Sequence, residues 1–190
     1  AINGPTIDQT GVLGTGAYGF DGTDDIVEAD NFGAAGTFDN ADFTVVAWML
    51  LTEASSTQNV VGYQSGDGDI WCQMRVDYGP NDDVHFDFDD GASKTDFGVW
   101  DTSLISLDTW YLMAMRHIEG IGYKGWIIEP DGTEHTNTGA ENGSLEKNDN
   151  VLTIGDNLRN AYHSGRIDEV MVFNRALSDA EITALHEAGL

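Results

Sequence analysis

The chain has 190 residues, 33 of them Asp or Glu against only 8 Lys or Arg, for a formal charge of −25 at pH 7. Such a polyanion is repelled by nucleic acid and by anionic membrane surfaces, which argues against both as partners. A hydrophobic content of 41% rules against global disorder, no apolar run is long enough to cross a bilayer, and a single Cys allows no internal disulfide.

Glycine is frequent, at 23 residues, proline is rare, at 3, and the glycines punctuate short apolar runs. That is an all-β pattern, and the length fits one domain over residues 1–190. Residues 1–16 are aperiodic and enter as an edge segment. They begin Ala1-Ile2-Asn3-Gly4-Pro5, with no basic stretch before an apolar one, so a secretory leader is expected to be absent or already removed. Residues 17–29 read as a hairpin-like pair around Asp21-Gly22-Thr23-Asp24-Asp25, and 30–42 as a polar loop. Residues 42–52 are apolar on both faces and read as a central strand. After a polar loop at 54–59, strands are expected at 60–64 and 69–78, across the turn Ser65-Gly66-Asp67-Gly68. A turn at 79–83 follows. Residues 84–89 alternate, with Val84, Phe86 and Phe88 on one face and His85, Asp87 and Asp89 on the other, which is read as solvated. Residues 98–104 connect onward, and 109–117 form a strand. Residues 123–129 and 133–138 pair across Pro130-Asp131-Gly132, and 139–150 form a polar loop. Strands at 152–154 and 167–173 close the sheets. Ser178 and Glu181 then form a capping box, with Leu177 and Ile182 placed to staple the helix entry and Gly189 a plausible stop.

Five stretches resemble a known family. They are Tyr18-Gly19-Phe20-Asp21-Gly22-Thr23-Asp24-Asp25, Phe43-Thr44-Val45-Val46-Ala47-Trp48, Asp108-Thr109-Trp110-Tyr111-Leu112-Met113-Ala114, Leu152-Thr153-Ile154-Gly155, and the ending from Gly165-Arg166-Ile167-Asp168-Glu169-Val170 to Asn174-Arg175-Ala176-Leu177-Ser178. In this order they resemble the laminin-G-like jelly rolls of the concanavalin A-like superfamily. The resemblance implies a two-sheet antiparallel jelly-roll sandwich with a short C-terminal helix. It also implies a structural calcium where the opening strand meets the last one, held by Asp168 with Asp21 and Asp24. From the residues alone, Asp168 interrupts a hydrophobic strand and needs a metal, a salt bridge to Arg166 or Arg75, or exposure.

A glycan site would use exposed aromatics with polar loop groups. The candidates are Trp100, Trp71 and Tyr78, with Arg159 and Tyr162 from the loop before the closing strand; Trp48 and Trp110 are assigned to the core. A glycosidase on this fold needs two carboxylates flanking the bond. Asp87 and Asp89 share a face, but the run has no Glu, and a solvated face is the simpler account. The five histidines lack zinc-ligand spacing. Cys72 reads as a small buried thiol.

These observations predict a non-catalytic recognition or adhesion module for a glycan or protein surface, at a cell surface, on a virion or secreted. The alternatives are a glycan-active hydrolase and a structural unit decorating a larger assembly. The acids are spread along the chain, which favours adaptation to high salt, where screening lengths fall to about 3 Å, over abundant cation binding. A halophilic source, or a virus of one, is the corresponding expectation.

Overall fold

The computed structural model describes residues 4–14, 16–29, 41–65, 70–78, 82–89, 94–141, 150–156 and 160–189. In chain order these hold strands β1 (Thr6–Gln9), β2 (Ala17–Asp21), β3 (Val27–Ala29), β4 (Phe43–Leu51), β5 (Ser56–Ser65), β6 (Ile70–Tyr78) and β7 (Asp83–Asp89). They continue with β8 (Lys94–Asp101), a 3₁₀ turn at Thr102–Leu104, β9 (Trp110–Ile118), β10 (Gly122–Ile128), β11 (Glu134–Ala140), β12 (Asn150–Ile154), β13 (Ser164–Phe173) and helix α1 (Asp179–Gly189). A seven-stranded sheet runs β1-β2-β13-β4-β9-β10-β11 and a six-stranded sheet β3-β12-β5-β6-β7-β8, with every pairing antiparallel. The expected jelly-roll sandwich is what the chain adopts.

The main core lies between the sheets. Val45, Ala47, Met49 and Leu51 of β4 meet Met74 and Val76 of β6 and Val84, Phe86 and Phe88 of β7. Side chains alternate across a strand, so Val46 and Trp48, between them on β4, face the other way. There they join Leu112, Ala114, Trp126 and Ile128 beneath Leu177 and Ile182 of the C-terminal segment. This second layer explains why β4 reads as apolar on both faces: all nine of its residues are buried. Trp48 also stacks on His186 at 5.2 Å between ring centres. Burying each such large apolar side chain contributes about 1.5–3 kcal/mol.

The helix start is built as its residues dictate. Ser178 N–H donates to Glu181 Oε2 at 2.8 Å, and Glu181 N–H donates to Ser178 Oγ at 3.3 Å. Leu177 and Ile182 are both buried and staple the entry. Ser178→Ala is expected to lower stability by about 1 kcal/mol in denaturant unfolding. An unchanged midpoint would mean that packing alone holds α1.

Three expectations need correction. Residues 17–29 do not form a hairpin: β2 pairs with β1 and β13, β3 pairs with β12 in the other sheet, and the Asp21–Asp25 turn carries the chain between sheets. Residues 94–101 form edge strand β8, which is hard to see in the sequence because Gly98 interrupts it and its polar residues break alternation. The face carrying His85 and Asp87 is not solvated, since both side chains are buried. The expected loop at 30–42 lies outside the described residues save its last two positions, as do most of the turns at 65–68 and 79–83 and most of the loop at 139–150. Cys72 is buried in the main core, and burial pushes its thiol well above the usual range.

Candidate functional site

Where β2 leaves its sheet, the turn is shaped by its own acids. Asp25 Oδ2 accepts the Asp21 N–H at 2.9 Å, and Asp21 Oδ1 accepts the Thr23 N–H at 2.8 Å. Gly22, at φ +77°, supplies the left-handed step and packs on Ser164. The result places one carboxylate oxygen from each of Asp21, Asp24 and Asp25 within 4.8 Å of the others. Asp25 is buried, and its proton is held above the usual carboxylate range, chiefly by desolvation and further by the charges of Asp21 and Asp24. A hard, all-oxygen donor set of this kind suits calcium, which takes six to eight oxygens from carboxylates and carbonyls.

Beside this cluster runs a groove of ≈ 220 Å³ at the rim formed by β1, β2 and β13. Thr6, Gln9, Asp21, Asp25, Thr52 and Arg166 line it with hydrogen-bonding groups. The Arg166 guanidinium donates to the Thr10 carbonyl at 3.2 Å, which fixes it over the groove edge. Tyr18, on the same strand, is 41% exposed. A larger hollow of ≈ 340 Å³ lies over β9, β10 and β11. Its cations, Arg116 and Lys124, both pair with Asp179 of α1 and lie over the Trp126 ring at 4.9 and 4.6 Å, so they serve the packing of the helix.

The predicted metal set divides. Asp21 and Asp24 come together, and Asp25, which no sequence signal had singled out, completes the group. Asp168 stands apart. Ser164 pairs with Asp21, and Asp168 is four residues further along β13, about 13 Å away at ~3.3 Å per residue. Its carboxylate instead accepts the N–H groups of Val12 and of Glu169, each at 2.9 Å. It thereby ties the 11–14 turn to a bulge in the closing strand, where Glu169 has φ +47° and register shifts between Asp168 and Met171. Among the described residues, the hydrogen-bond partners of this buried carboxylate are backbone N–H groups.

The predicted ligand set also scatters. Trp100 lies opposite Val84, is half-buried, and packs edge-on against Phe86 at 5.5 Å, against the main core. Tyr78 packs on the same core, with a buried hydroxyl that burial shifts upward. Tyr162 is half-buried and donates its hydroxyl to Asn160 Oδ1 at 3.1 Å. The Trp71 side chain and Arg159 lie outside what is described. For the hydrolase alternative, Asp87 is held by Arg75 Nε at 3.1 Å and by the Gln73 amide; the Asp89 side chain is likewise outside the described residues.

The Laminin_G_3 family model, described as the concanavalin A-like lectin/glucanases superfamily, matches residues 21–183. Among curated proteins none matches. Among solved structures, a mutant of HCR/D is 13% identical with a TM-score of 0.71, over 97% of this chain and 45% of that one. The receptor binding domain of botulinum neurotoxin mosaic serotype C/D is 13% identical with a TM-score of 0.70, over 97% and 44%. Trypanosoma rangeli sialidase in complex with the inhibitor DANA is 17% identical with a TM-score of 0.64, over 90% and 27%. The chain thus spans less than half the length of each. At such identities the likeness establishes a shared fold.

Proposed function

The chain belongs to the concanavalin A-like lectin/glucanases superfamily, and from that premise we propose that it is a non-catalytic recognition module whose rim groove binds a glycan. The observation that carries this reading is the groove itself. Hydroxyl, amide, carboxylate and guanidinium groups converge there beside a three-carboxylate cluster, the mix of donors and acceptors that sugar hydroxyls need. Similarity to a neurotoxin receptor binding domain and to a sialidase bound to DANA supports a recognition role at an exterior surface, cellular or virion. No helix among the described residues is long and apolar enough to cross a membrane. The acid excess suits a halophilic source.

Asp21, Asp24 and Asp25 would hold the calcium. The ion would neutralise the cluster and fix the turn that walls the groove. Asp25's raised pKa gives stability that is present below the usual carboxylate range and is lost as pH rises through the shifted value. Calcium is therefore expected to raise the unfolding midpoint more at pH 7 than at pH 4, at fixed ionic strength. Asp25→Asn should remove that rise and leave the chelated protein no less stable at pH 7. An undiminished calcium rise in Asp25→Asn would overturn the assignment.

Binding is tested on a glycan array in calcium, followed by titration calorimetry of the hits. Arg166→Ala is expected to weaken binding about tenfold, the loss of one charge-assisted contact. Release of reducing ends would identify a hydrolase, and its loss in Asp87→Asn would place the chemistry on β7. Neither binding nor release would leave a structural unit of a larger assembly. The pinning of Asp87 by Arg75 and Gln73 favours the non-catalytic reading.

A further inference from the structure

The outer face of the β6–β7 hairpin carries a second group of side chains, on the other sheet from the rim groove and independent of its function. Asp77 stands directly opposite Asp83, Arg75 opposite His85, and Gln73 opposite Asp87. Two like charges facing each other across a ladder destabilise it, and here both are removed from water. Arg75, the cation of this ladder, reaches along the strand to Asp87 instead. Asp77 keeps one described partner, the Thr57 hydroxyl, which donates to Oδ1 at 3.0 Å.

His85 sits beside this acid pair with an exposure of only 4%. Among the described residues, neither of its ring nitrogens has a hydrogen-bond partner. Nε2 lies against Asp83 Oδ1, but that contact lacks hydrogen-bond geometry, and Asp83 Oδ1 is itself without a hydrogen bond. Among the described residues Nδ1 has no acceptor either, so this ring has ligand atoms to spare. His117 shows the contrast: its group also includes two acids, Glu119 and Glu141, yet Nδ1 meets the Ala41 carbonyl at 2.8 Å and Nε2 meets Glu141 at 3.2 Å. That ring has no nitrogen to spare.

We propose that Asp77, Asp83 and His85 form a binding site for a divalent transition ion of the zinc and manganese class. One ligand atom from each lies within 4.8 Å of the others. An imidazole with two carboxylates is a three-ligand set that zinc and manganese accept, leaving the remaining positions to water. Calcium takes oxygen ligands and has no use for the imidazole. The ion turns a repulsive cross-strand pair into a clamp at the end of the hairpin where β6 gives way to β7. The site differs in ligand chemistry from the all-carboxylate cluster at the rim.

The test uses the whole chain, stripped with chelator and titrated by calorimetry with zinc, manganese and calcium chlorides, and followed by the visible ligand-field bands of cobalt. One saturable site preferring zinc or manganese to calcium is expected. His85→Gln should weaken it by about tenfold or more and abolish the cobalt bands, while Asp25→Asn leaves it unchanged. If His85→Gln fails to fold by circular dichroism, Asp83→Asn serves in its place and should show the same loss. In Asp25→Asn, which lacks the rim site, zinc or manganese binding no tighter than that of calcium overturns the proposal, as does binding undiminished in the folded His85 or Asp83 variant. So does loss of the site in Asp25→Asn, which would place the ion at the rim.

Discussion

Alanine at Gly165 is expected to destabilise the protein by about 4 kcal/mol, most of the margin of a small domain. Gly165 lies in β13 between Phe20 of β2 and Leu51 of β4, with φ +147°. An added Cβ would stand 2.0 Å from the Leu50 carbonyl oxygen and 3.0 Å from the Leu51 Cα. Those are backbone atoms of a central strand, so no side chain swings aside to make room. Strain at such a φ costs about 1–3 kcal/mol, and overpacking adds a similar amount. Gly132→Ala is the control: its φ is +87°, yet nothing lies within 4 Å of where a Cβ would stand, so only the conformational cost of about 1 kcal/mol applies. Guanidinium unfolding of both variants measures the difference, provided the m-values agree. Equal losses would mean that β13 and β4 are not packed in this register.

The second large effect is on pH dependence. His163 is fully buried and packs edge-on to Phe20 at 5.8 Å. Its Nε2 faces the Leu50 carbonyl at 3.3 Å, so that nitrogen carries the proton of the neutral ring. Burial pushes the imidazole from its ordinary 6.5 down to about 4, against the raising effect of its backbone hydrogen bonds. Between those values the unfolded chain binds a proton that the folded one refuses. Stability therefore falls as pH drops from about 6.5 to 4, by about 3 kcal/mol in total at ~1.4 kcal/mol per pH unit. Acid also relieves repulsion among the carboxylates, so the comparison must be with a variant. His163→Gln is expected to be the less stable protein at pH 7, with the gap closing by about 3 kcal/mol towards pH 4 at constant ionic strength. Parallel curves would mean that folding leaves the His163 imidazole at its ordinary pKa.

Legibility in the sequence follows the range of the interactions. The Ser178–Glu181 box is readable because its partners are three residues apart, and β7 because Val84, Phe86 and Phe88 alternate cleanly into the core. The sandwich itself is recognisable from five stretches in order. What is lost depends on partners far along the chain. Trp100 looks free among acids, but a register shift on β8, between the pairs at Val84 and Phe86, turns it inward. Asp168 visibly needs a partner; that partner, the Val12 N–H, lies 156 residues away. Asp25 draws no attention beside Asp21 and Asp24, although its burial is what makes the cluster electrostatically tense. The His85 face looks solvated because alternation reports which residues share a side, never what covers that side.

The position of β13 has a consequence for biogenesis. The last strand to be made is wedged between β2 and β4, two of the earliest. Until residues 164–173 emerge from the ribosome, both flanking strands present unpaired edges, the state most prone to aggregation. The seven-stranded sheet closes only when β13 arrives, in a non-local step that contact order makes slow. In water the chain's −25 charge then acts as its own chaperone, holding incomplete copies apart until the final strand arrives.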